Sequence, residues 1–420
     1  MDHMTVINRV IGAFFLICYA YQFIYTLTVL FRKEKDIPFG KANRFAVMIC
    51  ARNEERVIGD LIESIHNQTY DQKLIRIFVL ADNCSDRTAY VARQAGATVY
   101  ERYDEKHVGK GYALSCLMRH MQSDSPEGFD GYLVFDADNI LAPDYIEQMN
   151  RTFSEGHDIV TGYRNSKNYG DNWISAGTGL WYLHESRYLN HARHILGISC
   201  HVNGTGFLFS RKVAEELGPW PFHCLVEDIE FSANEILKGY RIAFCPTAML
   251  YDEQPTDIIQ SWRQRRRWCR GGLQIYRRYG LSLARGAFHG CMSCFDLIMS
   301  TMPAYLLSVI SLGLNLLNLM HCMASGESIM TMAGSLLKMV IGMYVIMYTV
   351  GLLTTVTEWR NIRTSPKRKI LFIFTFPLFM ITYIPVAVSA LLFKVEWKPV
   401  EHRVTLSSLR MREDKDILPF

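Results

Sequence analysis

Apolar and polar positions divide the chain into stretches of different character. No charged residue occurs from Val10 to Phe31, and about 20 apolar residues are enough for a helix to cross a bilayer. The stretch is too long for a signal peptide and lacks a small-residue cleavage site. Arg32, Lys33 and Lys35 follow it, and basic residues flank the cytoplasmic end of a span. From Arg44 to about Thr256 short apolar runs alternate with amphipathic ones. Phe45–Cys50, Ile75–Leu80, Ala97–Tyr100 and Tyr132–Phe135 read as strands. Glu54–Gln68 reads as a helix, with Val57, Ile58, Leu61, Ile62 and Ile65 on one face, and so do Ser85–Ala95 and Gly109–Met121. Strand, helix and strand in this order predict an α/β fold with a mostly parallel sheet covered on both faces. The second half of the region is less regular: Phe207–Ser210 and Arg241–Phe244 read as strands and Val226–Leu237 as a helix.

After Thr256 the pattern changes. Ile258, Trp262, Cys269, Leu273 and Tyr276 fall near helical spacing while basic residues fill the remaining positions, as in a helix lying on a membrane surface or a partner. Phe295–Met320, Leu336–Val356 and Ile370–Phe393 are then each long enough to span, and Lys338 is placed to snorkel to the interface. The loop at His321–Ser328 has no Lys or Arg, whereas Arg360–Lys369 is strongly basic, giving outside and inside respectively. The tail from Lys394 is also basic and belongs inside, so a re-entrant last segment, kinked at Pro377 and Pro385, reconciles the two. The predicted organisation is an anchor (1–36), a cytoplasmic domain (37–256), interface helices (257–290), C-terminal membrane segments (291–395) and a tail (396–420).

Composition agrees with a membrane protein carrying a soluble domain: 49% of residues are hydrophobic and mean hydropathy is +0.03. A net charge of +4 argues against a nucleic-acid partner. The 11 cysteines are odd in number and thinly spread, the pattern of reduced thiols, not of a disulfide framework. Cys291-Met-Ser-Cys294 lacks a second pair or nearby histidines that would make it a metal or redox site.

The chemistry-bearing residues sit at strand ends. The strand Tyr132–Phe135 runs into Asp136-Ala-Asp138, and ligands of open α/β sheets bind beyond the carboxyl ends of strands. On an extended backbone both carboxylates point to one side and call for a cation, for which Mg²⁺ or Mn²⁺ is suited. Asp82 ends an earlier strand, and Glu227-Asp228 open a helix. Singly, each has a plain structural reading: a solvated acidic turn, an acid favoured by the helix dipole, a basic membrane-surface helix. The turn after the first strand is Ala51-Arg52-Asn53-Glu54-Glu55, which does not support a dinucleotide fingerprint.

Together, Asp82, Asp136-Ala-Asp138, Glu227-Asp228 and Gln264-Arg-Arg-Arg267-Trp268 resemble the D, D-x-D, (T)ED and Q-x-x-R-W motifs of the membrane-embedded family 2 glycosyltransferases, the synthases of cellulose, chitin, hyaluronan and poly-N-acetylglucosamine. The resemblance covers nearly the whole chain. It implies a GT-A-type nucleotide-sugar-binding domain joined to an α-helical transmembrane region, and a hexosyltransferase in the plasma membrane, multi-pass, with its catalytic domain cytoplasmic. Asp138, supported by Asp136, would hold Mg²⁺ or Mn²⁺. Asn53, Glu54 and Asp82 would take the uridine of a UDP-sugar, and Lys110 the nucleotide. Arg267 would fork onto phosphate oxygens, with Gln264 and Glu227 beside it. Trp268 would face the acceptor sugar, Asn203–Gly206 would line the acceptor end, and Asp228 would be the general base of an inverting transfer. Arg265, Arg266 and Arg270 are read as serving the membrane surface.

Val226 stands where the family often has Thr, and Asn83-Cys84 replaces Gly-Ser after Asp82. The spans are fewer than in the larger cellulose synthases, so a complete channel calls for interface helices or an accessory membrane subunit. The leading expectation is a processive β-glycosyltransferase that extends and exports a polysaccharide, with UDP-glucose or UDP-N-acetylglucosamine as favoured donors. The alternatives are a non-processive enzyme glycosylating a membrane lipid, and an inactive membrane binding protein, which the intact acids and Q-x-x-R-W oppose.

Overall fold

The computed structural model describes residues 3–32, 38, 40–325, 329–395 and 402–406. Two helices, α1 (His3–Tyr19) and α2 (Tyr21–Phe31), lead to an alternating region. Its first half runs β1 (Phe45–Ala51), α3 (Ile58–His66), β2 (Ile75–Asp82), α4 (Thr88–Gln94), β3 (Thr98–Arg102), α5 (Lys110–Asp124) and β4 (Gly131–Asp136). The second half runs β5 (Ile140–Leu141), α6 (Tyr145–Ser154), β6 (Ile159–Ser166), α7 (Trp173–His184), a π-helical turn (Glu185–Asn190), α8 (His191–Leu196), β7 (Phe207–Ser210), α9 (Arg211–Leu217), α10 (Glu227–Leu237) and β8 (Ile242–Asp252). Then come α11 (Ile258–Phe288), α12 (Met292–Ser325), α13 (Ile329–Thr357), α14 (Pro366–Ile381) and α15 (Tyr383–Leu392).

All eight strands form one sheet in the order β3-β2-β1-β4-β7-β6-β8-β5. The first four are mutually parallel. The second half is mixed, because β7 runs antiparallel to both β4 and β6, and β5 antiparallel to β8. The central strands are apolar throughout because both faces are covered. Met48, Phe78 and Val134 pack with Leu117 under α5 on one face. Their alternates Val47, Val79, Leu133 and Phe135 pack with Leu61 and Ile65 of α3 on the other. Each such side chain, once buried, contributes about 1.5–3 kcal/mol.

Two features hold the sheet to the membrane helices. Arg193 of α8, fully buried, donates to Asp296 at the start of α12 at 2.7 Å, and Tyr25 of α2 donates to the same carboxylate at 2.9 Å. On the other side Phe379 of α14 packs so close to Gly177 of α7 that a methyl group there would collide with it.

Among the described residues three helical stretches are long and apolar enough to cross a membrane: Val6–Phe31, Leu336–Thr357 and Pro366–Leu392. Within α12 only the shorter Leu306–His321 is comparably apolar. The last stretch breaks at Thr382, between α14 and α15. Pro385 has no N–H for the carbonyl of residue 381, so the helix is interrupted there. The start of this stretch and a segment beyond its end lie against the sheet domain. Arg368 donates to the Gly170 carbonyl at 2.8 Å, and residues 402–406 lie on β8 and α3, with Arg403 and Val404 N–H groups on the Glu253 carboxylate at 2.9 Å and Leu406 N–H on Asp60 at 2.7 Å.

Candidate active site

The carboxyl ends of β1, β2 and β4 and the start of α10 open onto a single cavity of about 1460 Å³. β4 stops at Asp136 and the chain turns through Ala137-Asp138. The two carboxylates are therefore not alternate side chains of one extended strand, as the spacing alone predicted. The turn forms because Asn139 closes it: its side-chain oxygen accepts from Asp136 N–H at 3.1 Å, and its amide donates to Asp252 at 3.1 Å.

The two acids have different partners. Asp136 takes the ammonium of Lys110, which also donates to the Gly204 carbonyl at 2.6 Å. Burial opposes the charge of Lys110, but Asp136 and Glu227 outweigh it and hold the ammonium above its ordinary range. Asp138 is 3% exposed, and one of its oxygens accepts from Glu253 N–H at 3.1 Å. Among the described residues no cluster of three or more His, Cys, Asp or Glu side chains has metal-holding spacing. A hard divalent ion fits all the same, since Mg²⁺ is held by one or two carboxylates and completes its shell with water and phosphate oxygens.

The nucleotide end is built from two tight turns. Asn53 and Asn83 adopt left-handed backbone conformations, with φ of 58° and 52°, which Asn tolerates better than most residues. The Asn53 side chain accepts from Ser85 N–H at 2.8 Å, and Asn83 donates to Asp82 and to the Asp104 carbonyl at 3.1 Å each. The bonds of Asn83 account for it after Asp82, and Cys84 beside it takes the Asn53 N–H and reaches the Ala51 carbonyl at 3.4 Å each. Asp82 is gripped by Arg102 at 2.6 Å, and burial still raises its carboxyl above the usual range. Asn53 builds its turn without lining the cavity, whereas Glu54 and Asp82 do line it.

On the opposite wall Glu227 and Asp228 occupy the first turn of α10. Burial pushes both carboxyls up, Asp228 adding to the rise at Glu227, while Lys110 and Arg267 pull both down. Gln264, Arg267 and Trp268 reach the same cavity from α11, and Tyr182 meets the Trp268 ring edge-on at 6.4 Å. The Val226 departure has a packing reason: a Cβ on Gly271 would lie 2.6 Å from Val226 Cγ2, so α10 and α11 are in van der Waals contact there.

Known proteins are similar to this chain. The model of the family described as glycosyltransferase-like family 2 matches residues 42–271. The chain belongs to this family. This glycosyltransferase is 27% identical over 275 residues to the probable glycosyltransferase YdaM of Bacillus subtilis (strain 168), covering 59% of this chain and 60% of that one. It is 25% identical over 251 residues to the poly-beta-1,6-N-acetyl-D-glucosamine synthase of Staphylococcus aureus (strain COL), covering 59% and 58%. It is 24% identical over 243 residues to the beta-monoglucosyldiacylglycerol synthase of Synechocystis sp. (strain ATCC 27184 / PCC 6803 / Kazusa), covering 56% and 48%. The match thus spans 60% or less of the length of these relatives. The mannosyltransferase PcManGT of Pyrobaculum calidifontis, solved with GDP-Man and Mn²⁺, shares the fold at a TM-score of 0.59 and 15% identity, covering 93% of this chain and 99% of that one. The glycosyltransferase thus has a GT-A-type domain with membrane-length helices beside it.

One reading of α11 changes. Arg265 does not face the membrane surface: it is wholly buried, donates to Thr382 at 2.6 Å and lies over the rings of Phe379 and Tyr383 at 4.5 and 4.9 Å. The break between α14 and α15 exposes the Thr382 hydroxyl that receives it. Arg270 also turns inward, toward the Ala390 carbonyl at 3.4 Å.

The sequence pattern missed His402. Its Nδ1 is 2.9 Å from Glu54 Oε1 and its Nε2 3.8 Å from Asp138 Oδ2. Burial works against its charge, but Asp138 and Glu54 outweigh it and push its pKa up to about 10. A single histidine in a basic tail carries no periodicity, and its partners lie at the far end of the chain.

Proposed function

We propose that the protein is an inverting, metal-dependent β-glycosyltransferase that takes a UDP-sugar, with UDP-glucose or UDP-N-acetylglucosamine favoured, and extends a polysaccharide processively while exporting it. The observation that carries this reading is the continuity of the cavity. The space bounded by Asp138, Asp228 and Trp268 is also bounded by Phe15 and Leu16 of α1, by α12 as far as Leu319, and by α13 as far as Leu336. A product sugar leaving Asp228 enters a passage along the membrane helices, with Trp268 and Tyr182 offering ring faces to a glycan. The poly-beta-1,6-N-acetyl-D-glucosamine synthase relative supports the same direction.

In this reading the catalytic domain, on the side of Arg32 and of the basic Arg360–Lys369 segment, is cytoplasmic, and the plasma membrane is crossed by several helices. Arg368 near the start of Pro366–Leu392 and residues 402–406 beyond its end both lie against the catalytic domain, which supports a segment that enters the membrane and returns. Asp138, with Asp136 near it, would hold Mg²⁺ or Mn²⁺, which when bound stabilises the charge of the leaving diphosphate. Lys110 and Arg267 bring fixed positive charge to the same phosphates. Asp82 and Glu54 bind the uridine end. Asp228 takes the proton of the acceptor hydroxyl as it attacks from the side opposite the leaving group.

Purified protein in lipid nanodiscs, incubated with radiolabelled UDP-sugars and Mg²⁺, tests the reading. A product of high molecular weight supports it. A lipid carrying a single sugar supports instead the glycolipid activity named for the Synechocystis relative.

A further inference from the structure

The helix that forms one wall of the cavity is not regular. α7 and α8 are joined by the π-helical turn Glu185–Asn190, and π-bulges recur at functional sites because they re-aim side chains. On this wall Trp181, Tyr182, His184, Glu185, Leu189 and Arg193 reach the cavity, and four of them, Trp181, Glu185, Leu189 and Arg193, follow each other at steps of four residues. In a straight α-helix four residues advance slightly more than one turn, and three such steps drift about 120° around the axis. The wider π turn cancels part of that drift, so one line of side chains faces one space over its full length.

Within that line Glu185 is the carboxylate closest in kind to a working group. The motifs that define the site do not include it. Arg164, Arg193 and Asp228 all act on it electrostatically. Burial raises its carboxyl above the usual range. Its neighbours on the wall are suited to a saccharide: Trp181 and Tyr182 precede it, and Tyr182 lies between Trp268 and the Arg164 guanidinium, which is 3.9 Å from its ring. Arg164 is itself committed to Asp252 and to the Asn203 carbonyl at 2.9 Å. The loop carrying Asn203 passes between Asp136 and Asp228. Glu185 thus lines the same cavity as this loop and the reacting groups.

We propose that Glu185 is an acceptor-binding residue: its carboxylate, facing the cavity beside Trp181 and Tyr182, accepts a hydrogen bond from a hydroxyl of the terminal acceptor sugar and turns the neighbouring hydroxyl toward Asp228. This rests on the saccharide-extending reading above and names the residue that selects the acceptor. A carboxylate is fitted to the task because it only accepts, and hydrogen bonds to a charged acceptor are about twice as strong as neutral ones.

Glu185→Gln and Glu185→Ala, prepared in nanodiscs, test it against both an oligosaccharide primer and diacylglycerol. The acceptor that the unsubstituted protein uses decides between polysaccharide and glycolipid synthesis. The effect of the substitutions on that acceptor's KM decides the role of Glu185. The expected result is an acceptor KM raised about tenfold or more, more by Ala than by Gln, with the Kd for UDP and the melting temperature within error of the unsubstituted protein. An unchanged acceptor KM overturns the assignment. So does a joint fall of UDP affinity, melting temperature and transfer, which would make Glu185 a structural acid.

Discussion

Asp136 and Asp228 face each other across Gly204: a methyl group placed on that glycine would lie 3.8 Å from a carboxylate oxygen of each. Gly204 has a φ of +77°, and its carbonyl accepts the Lys110 ammonium. The loop between α8 and β7 therefore brings the donor-side acid and the acceptor-side base to one place, with only a backbone between them.

Gly204→Ala leaves room for the methyl but forces a left-handed conformation on alanine, at a cost of about 1–2 kcal/mol. The loop relieves this by moving, which disturbs both carboxylates. Gly206 also has positive φ (+68°), and a methyl there collides with Leu250 in the core. We expect Gly204→Ala to lower kcat with a modest fall in melting temperature, and Gly206→Ala to lower melting temperature and yield. Thermal unfolding and transfer rates measured on both variants check this, and equal effects on stability would contradict it.

Arg265→Ala should act on folding. It removes a charged hydrogen bond to Thr382, about 1.5–3 kcal/mol, and two cation–π contacts between α11 and the α14–α15 break. The melting temperature should fall equally in neutral and in anionic nanodiscs. A variant of normal stability whose activity depends more steeply on anionic lipid would return Arg265 to the membrane surface.

The first half of the sheet was legible because β1, β2 and β4 are continuous apolar runs with acids at their ends. The strand β6 was not, since Asn165 and Ser166 look like loop residues. They are buried only because partners distant in sequence receive them, as when Asn165 donates to the Asn361 carbonyl at 2.9 Å. Of the site, the acids and Gln264, Arg267 and Trp268 were readable from order and spacing, and ten of the eleven predicted residues border the one cavity, Asn53 being the exception. His402 and Glu185 were hidden for a different reason. The first acts through a tail that returns to the start of the chain, and the second through a π turn that no apolar period encodes.

His402→Ala should strengthen divalent-ion binding in the presence of UDP, because it removes a positive charge whose Nε2 lies 3.8 Å from Asp138 Oδ2 and competes with the ion for that carboxylate. Calorimetric titration of Mn²⁺ into the UDP complex checks it, and unaltered Mn²⁺ affinity would confine His402 to anchoring the tail.

Burial raises the Asp228 carboxyl above its ordinary value, about 3.9 for Asp. A general base works deprotonated, so transfer is present above the raised pKa and lost as pH falls through it. The acid limb of the kcat profile should therefore lie above the range of an ordinary aspartate. A rate still at its plateau at pH 4 would show that the base is not this buried acid.

The central claim is that Asp228 removes the acceptor proton. Its plain structural alternative is that Asp228 favours the first turn of α10, whose cap residue Val226 offers no side-chain hydrogen bond. Asp228→Asn keeps the shape and, in helix-end preference, differs little from Asp. Melting temperature, UDP affinity and transfer rate, measured on one preparation of Asp228→Asn, separate the two. The base assignment predicts near-normal melting and UDP binding with transfer lowered on the order of 10²–10⁴-fold, and near-normal transfer by this variant would contradict it.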